Sequence, residues 1–221
     1  MLASLGPALR AWYDRAPAVE VVAYPPTTVA TVTVSAPSMR AAASKGFRSV
    51  AGFIFGGNEP RPSGAGVSVA PANPETDPAV LSGDRMRMGG PGQKIAMTSP
   101  VVMHPPAAPS PSGSYTVQFV MPSGLGGPGG LPVPSNPNVT VAAVPALTVA
   151  RLAWRGGPRP DDGMVAARLA DLEAALAADR RWARADDDVA APRLLGYYPP
   201  FAPRWQQLHA VEVGVVEKKE G

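Results

Sequence analysis

The sequence predicts an α+β fold: a duplicated β-β-α-β-β unit whose eight strands form a distorted barrel flanked by two helices. Three observations carry this. Val29–Val34 (V-A-T-V-T-V) alternates with period 2. Two segments carry apolar residues at helical spacing: Ala43, Phe47, Val50 and Ile54, then Val165, Leu169, Leu172 and Leu176. A constant offset of 120 residues then aligns Val19, Val21, Ala23, Pro25, Thr28, Val29 and Ala30 with identical residues at Val139 to Ala150.

Val19–Tyr24 and Val29–Val34 read as an antiparallel pair around Pro25-Pro26. Ser38 is a suitable N-cap for a helix over Met39–Phe55, and Gly56-Gly57 a suitable end. Glu59–Gln93 is too rich in Pro and Gly for regular structure. Lys94–Met103 and Tyr115–Met121 read as the next strands. In the second half, Val139–Val144 and Leu147–Trp154 form another pair around a proline. A helix is predicted over Asp162–Trp182, with Asp161 and Asp162 at its positive end. Arg193–Tyr198 and Leu208–Val216 close the unit.

Composition narrows the function. The chain has 221 residues, net charge +3 and no cysteine. Zero cysteine excludes disulfides, thiolate-held iron–sulfur clusters, Cys-rich zinc sites and covalent c-type haem. Its 28 prolines and 23 glycines would suggest disorder if evenly spread. Fifteen of the prolines instead fall in Pro60–Pro91 and Pro105–Pro137, leaving an ordinary globular core. Basic residues are scattered, without the stripe that nucleic-acid binding needs. Ile95–Ala150 is free of acidic side chains, Lys and Arg, but prolines interrupt it, so no transmembrane segment is expected. Met1–Arg15 lacks the long apolar stretch of a secretory signal.

Four segments together resemble the SOUL/haem-binding-protein family. Val19-Glu20-Val21-Val22-Ala23-Tyr24 is similar to the family's Y-E-V-R-x-Y strand. Gly46-Phe47 through Phe53-Ile54-Phe55-Gly56-Gly57-Asn58 is similar to its helix end. Lys94-Ile95-Ala96-Met97-Thr98-Ser99-Pro100-Val101 matches K-I-x-M-T-x-P-V. Tyr197-Tyr198-Pro199-Pro200-Phe201 and Val211-Glu212-Val213 resemble Y-x-P-P-F and the closing N-E-V strand. The organisation expected is an N-terminal extension over 1–18, a SOUL-like domain over 19–217 with insertions at 59–93 and 104–137, and a tail over 218–221.

The resemblance implies a non-enzymatic protein that binds haem or a related tetrapyrrole non-covalently, for buffering, carriage or sensing. Some members ligate iron through a histidine in the first strand. Here that position is Ala23, which cannot ligate. Members without the histidine hold the ring by an apolar surface and cations for the propionates. The resemblance is compatible with a cytoplasmic location or, as in plant-type relatives, a plastid one.

The first helix offers such a surface. Lys45, Arg48 and Gly52 are spaced 3 and 4 apart and line up, with Ser49 and Phe53 beside them. The cations suit propionates, Gly52 allows close approach, and Phe53 suits stacking. Arg204, beside Pro199-Pro200-Phe201, is a third cation candidate. The competing reading is a solvated helix face. His209 alternates with Val211 and Val213 and reads as a satisfied core residue, with metal ligation the weaker alternative. Met97 reads as packing, and His104 as a rim residue. Two histidines without cysteine make no metal site of their own. Gly124–Gly130 lacks the lysine and helix of a phosphate loop. A protein-interaction module acting through the Pro-rich loops is the alternative function. A related domain binding another hydrophobic small molecule is a third.

Overall fold

A computed structural model describes residues 19–61, 91–106, 112–186, 191–197 and 203–218. The expected extension over 1–18 and most of the 59–93 insertion lie outside these. The elements are β1 (Val19–Tyr24), β2 (Thr27–Ala36), α1 (Met39–Ile54), β3 (Asn58–Glu59), β4 (Val101–His104), β5 (Gly113–Val120), β6 (Val133–Pro134), β7 (Val139–Val144), β8 (Leu147–Arg155), α2 (Asp162–Ala178), β9 (Trp182–Arg184), β10 (Arg193–Gly196) and β11 (Leu208–Glu217). One antiparallel sheet of nine strands runs in the order β1-β8-β11-β10-β4-β5-β2-β7, with β9 pairing onto β11. Among the described residues it does not close, so it is an open sheet with two helices, with β1 and β7 at its two ends.

The expected hairpins around proline are not formed. β1 pairs with β8 and β2 with β7, so each half lends a strand to the other. The connections are two residues long, Pro25-Pro26 and Pro145-Ala146. A two-residue hairpin needs φ > 0, which proline's ring forbids. The register is the same 120 residues apart: Val19 faces Leu152, and Val139 faces Val32.

Both helices pack on one face of the sheet. α1 lies on β2 and β5, and α2 on β11, β8 and β9. Between them and the sheet are Val32, Val117, Phe119, Leu152, Val211 and Val213. α2 buries Val165, Leu172 and Leu176, as its spacing predicts. α1 is rotated from the expected face: Met39, Ala42, Gly46, Val50 and Phe53 are buried, while Ala43 and Phe47 are only partly so. Gly46 decides this. A Cβ there would sit 2.5 Å from Val117 Cγ2, so only glycine lets the helix lie this close to β5.

The helix starts behave as predicted. The Ser38 side chain accepts from Ala41 N, and Asp161 from Met164 N. Asp162 also accepts from Met39 N at 3.0 Å and from the Tyr115 hydroxyl at 2.7 Å, tying the two helix starts to β5. Burial first, then this carboxylate, push Tyr115 up to about 12.

α2 stops at Ala178, short of the expected Trp182. Asp179 Oδ1 accepts from Arg181 N and Trp182 N, so its side chain replaces the next helical turn and starts β9. The expected strand from Lys94 is reduced to Val101–His104. Pro100 has no N–H for a ladder, and the segment before it serves as a strap instead. Ile95 N donates to Ile54 O at 2.8 Å, Met97 packs against the core, and Thr98 donates to Val120 O. Buried Asn58 closes the insertion. It donates to Gln93 O at 2.8 Å and accepts from Gln93 N at 2.9 Å, so the chain leaves and returns at one point.

Candidate functional site

Helix α1 presents Lys45 and Arg48 to solvent, with Ser49 and Gly52 half-buried beside them. Ser49 Oγ donates to Lys45 O, and Arg48 Nη1 to Ser44 Oγ at 3.2 Å. Among the described residues no carboxylate pairs with either cation. A Cβ added at Gly52 would meet no atom within 4 Å, so the space above that turn is open. Phe53 is a correction: it is 1% exposed, in the core beneath the helix, and not on the neighbouring outer face. Phe47 takes the more exposed place, its ring 5.3 Å from that of Phe119. Arg204 is exposed beside Trp205, which is 64% exposed, and no hydrogen bond or ion pair joins it to α1. Ala23 stands exposed on β1, opposite Thr148.

The open space makes a direct prediction. Glycine inside a helix costs roughly 0.5–1 kcal/mol relative to alanine. Gly52→Ala is therefore expected to raise the unfolding free energy by about that amount in urea titrations.

The helix-free face holds a cluster that residue spacing alone does not reveal. Glu212 is fully buried on β11. Its Oε1 accepts from the Tyr24 hydroxyl and from Arg151 Nε, both at 2.7 Å, and its Oε2 from Arg193 Nε at 2.8 Å. Both guanidinium groups lie over the Tyr24 ring, at 5.5 and 5.3 Å. Burial, then the bond to Glu212, hold the Tyr24 hydroxyl well above its ordinary value. One signal was present in the sequence: Glu212 is a lone acid inside the apolar run L-H-A-V-E-V-G-V-V, and a buried charge demands partners. With both oxygens engaged by cations, this carboxylate ties β1, β8, β10 and β11 together. Nearby His104 is half-buried and shares Nε2 with Gln118 Oε1 at 3.2 Å.

His209 lies on the helix-bearing face, 7% exposed. Its ring centroid is 5.7 Å from that of Trp154. It is buried as expected, yet it is not satisfied: neither ring nitrogen has a hydrogen-bond partner among the described residues.

With these surfaces in view, the relatives can be placed. The family model of the SOUL heme-binding protein matches residues 88–213, more than half of the chain. The chain belongs to the SOUL heme-binding protein family. No curated protein matches. Among solved structures, the C-terminal domain of EcmrR superposes with a TM-score of 0.53 at 10% identity, covering 91% of this chain and 99% of that one. A hydrolase from Listeria innocua superposes with a TM-score of 0.52 at 9% identity, covering 95% and 97%. At such identities these likenesses show the fold alone. The SOUL match takes in the K-I-A-M-T-S-P-V strap and β4 through most of β11, including His209, Arg193 and Glu212. The α1 candidates, Lys45 to Phe53, precede it. Among the described residues, no His/Cys/Asp/Glu group could hold a bare metal ion, and no helix is long and apolar enough to cross a membrane.

Proposed function

We propose that this SOUL-family chain binds haem or a related tetrapyrrole non-covalently, without a ligand at Ala23, and serves in buffering, carriage or sensing rather than catalysis. The carrying observation is the outer face of α1. Among the described residues, two cations without acidic partners lie two turns and one turn before an open glycine on the same helix face, and these residues fit a flat ring bearing acidic side chains. Lys45 and Arg48 would hold the propionates, with Ser49 and Gly52 beneath the ring and Arg204 as a further cation. Bound haem would supply the iron and its redox and ligand chemistry. The chain's own residues bind and orient it. The shared register at 120-residue offset supports an origin by duplication.

Titration of the purified chain with hemin and with metal-free protoporphyrin, read at the Soret band, tests this. Saturation by both in the micromolar range is expected. No saturable shift with either overturns the reading. Lys45→Ala with Arg48→Ala should weaken binding by about 1–3 kcal/mol, the worth of hydrogen bonds to charged groups. Unchanged affinity would move the site off this face.

A further inference from the structure

The outer face of α1 continues past Gly52. Phe55 follows three residues later as the C-cap, and its N–H still donates to Ala51 O at 3.0 Å, so it stays on the Gly52 side of the helix. Phe55 is half-buried, packed in part against the core. It pairs with Lys94 in an isolated antiparallel bridge, beside the hydrogen bond from Ile95 N to Ile54 O at 2.8 Å. Directly paired side chains share a face, so Lys94 stands beside Phe55. Lys94 is exposed, and among the described residues no hydrogen bond or ion pair engages its ammonium. Glu59, exposed on β3 next to the Asn58 that binds Gln93, forms no ion pair with it.

Cations therefore stand at both ends of the open turn at Gly52. Lys45 and Arg48 precede it by two turns and one turn, and Lys94 lies beyond it at Phe55. Arg48 and Phe55 are seven residues apart, about 10 Å along the axis at the helical rise. That span is comparable to the width of a porphyrin ring. Between the two ends, Ser49 and Gly52 are half-buried and uncharged, and α1 contains no acidic residue. This charge pattern complements a flat ring with carboxylates at two edges better than a ring with carboxylates at one.

We infer that Lys94 is a further binding residue of this face, and that the ligand is a tetrapyrrole with carboxylates on two opposite edges, such as a porphyrin bearing a propionate on every pyrrole. Lys45 and Arg48 hold the carboxylates of one edge. Gly52 lies under the ring, Phe55 borders it, and Lys94 takes a carboxylate of the far edge. The inference rests on the tetrapyrrole reading and narrows its ligand class. Each polar contact is an ion pair, so no proton or electron changes place.

The test uses the full chain and two metal-free probes: coproporphyrin, with a propionate on each pyrrole, and protoporphyrin, with two propionates on one edge. Both are titrated at low salt and read at the Soret band. Coproporphyrin should bind at least fivefold more tightly, and its advantage should shrink as salt rises, because exposed charges are screened. Lys94→Ala should weaken coproporphyrin about fivefold and leave protoporphyrin within twofold. Lys94→Glu should weaken coproporphyrin further, and Lys94→Arg should keep the preference. Lys45→Ala with Arg48→Ala should weaken both rings. Thermal melts of the Lys94 variants should match the wild type, since the side chain is exposed. Equal wild-type affinity for the two rings overturns the assignment while leaving ring binding intact. So does a Lys94→Ala variant that weakens both rings alike or neither. Failure of the wild type to bind either ring overturns the tetrapyrrole reading itself.

Discussion

Replacing Glu212 with alanine should lower the unfolding free energy by about 3–5 kcal/mol, the cost of removing one partner from a buried ion pair. The carboxylate is fully buried between Arg151 and Arg193, whose side chains are 18% and 13% exposed. Without it, two guanidinium groups remain over the Tyr24 ring, and only Arg151 keeps a carboxylate partner, the exposed Glu20 at 3.2 Å. Like-charge repulsion then adds to the lost hydrogen bonds. Glu212→Gln should lose less, because one amide oxygen can still accept. Urea denaturation at neutral pH measures both. A loss below about 1 kcal/mol for the alanine variant would mean that water screens the cluster as it does a surface pair. The exposed pair Arg181–Glu217 is the internal control, at 2.6 Å with side chains 71% and 58% exposed. Breaking it should cost no more than about 1 kcal/mol.

The second large effect is expected at Phe53. Truncating a fully buried phenylalanine to alanine typically costs about 3–5 kcal/mol, through lost burial and the cavity left behind. Phe53 is 1% exposed in the main core with Val50, Ile54 and Ile95. Phe53→Ala should therefore lower stability by that amount. Phe53→Leu, which keeps much of the volume, should cost less and leave hemin affinity within twofold. Thermal and urea melts, followed by hemin titration of the leucine variant, check both parts. A stable Phe53→Ala variant that had lost hemin affinity would place the ring at the ligand and not in the core.

Much of the local structure was legible because it depends on short-range rules. The alternation of Val29–Val34 marks β2, Ser38 and Asp161 cap the helices they precede, and the apolar spacing of α2 names its buried side. The family resemblance likewise rested on linear motifs, and the match over 88–213 agrees with it. Placement of side chains around α1 was less legible. Hydrophobicity ranks Phe47 above Gly46, but contact with Val117 admits only the glycine. Phe53, next to Gly52, thereby turned from the expected outer face into the core. Strand ends set by side-chain hydrogen bonds, such as that of β9 after Asp179, carry almost no periodic signal.

By itself the sequence determined the α+β class, the order of the major strands and helices and the absence of thiol chemistry. Each follows from composition or from nearest neighbours along the chain. Tertiary structure alone decided that β1 crosses to β8 and β7 to β2, that Glu212 gathers two arginines and a tyrosine from three other strands, and that neither ring nitrogen of His209 finds a hydrogen-bond partner among the described residues. The reason is the same in each case. Pairing, burial and desolvation depend on groups distant in sequence: 188 positions separate Tyr24 from Glu212. Only the folded sheet brings such groups within a few ångströms.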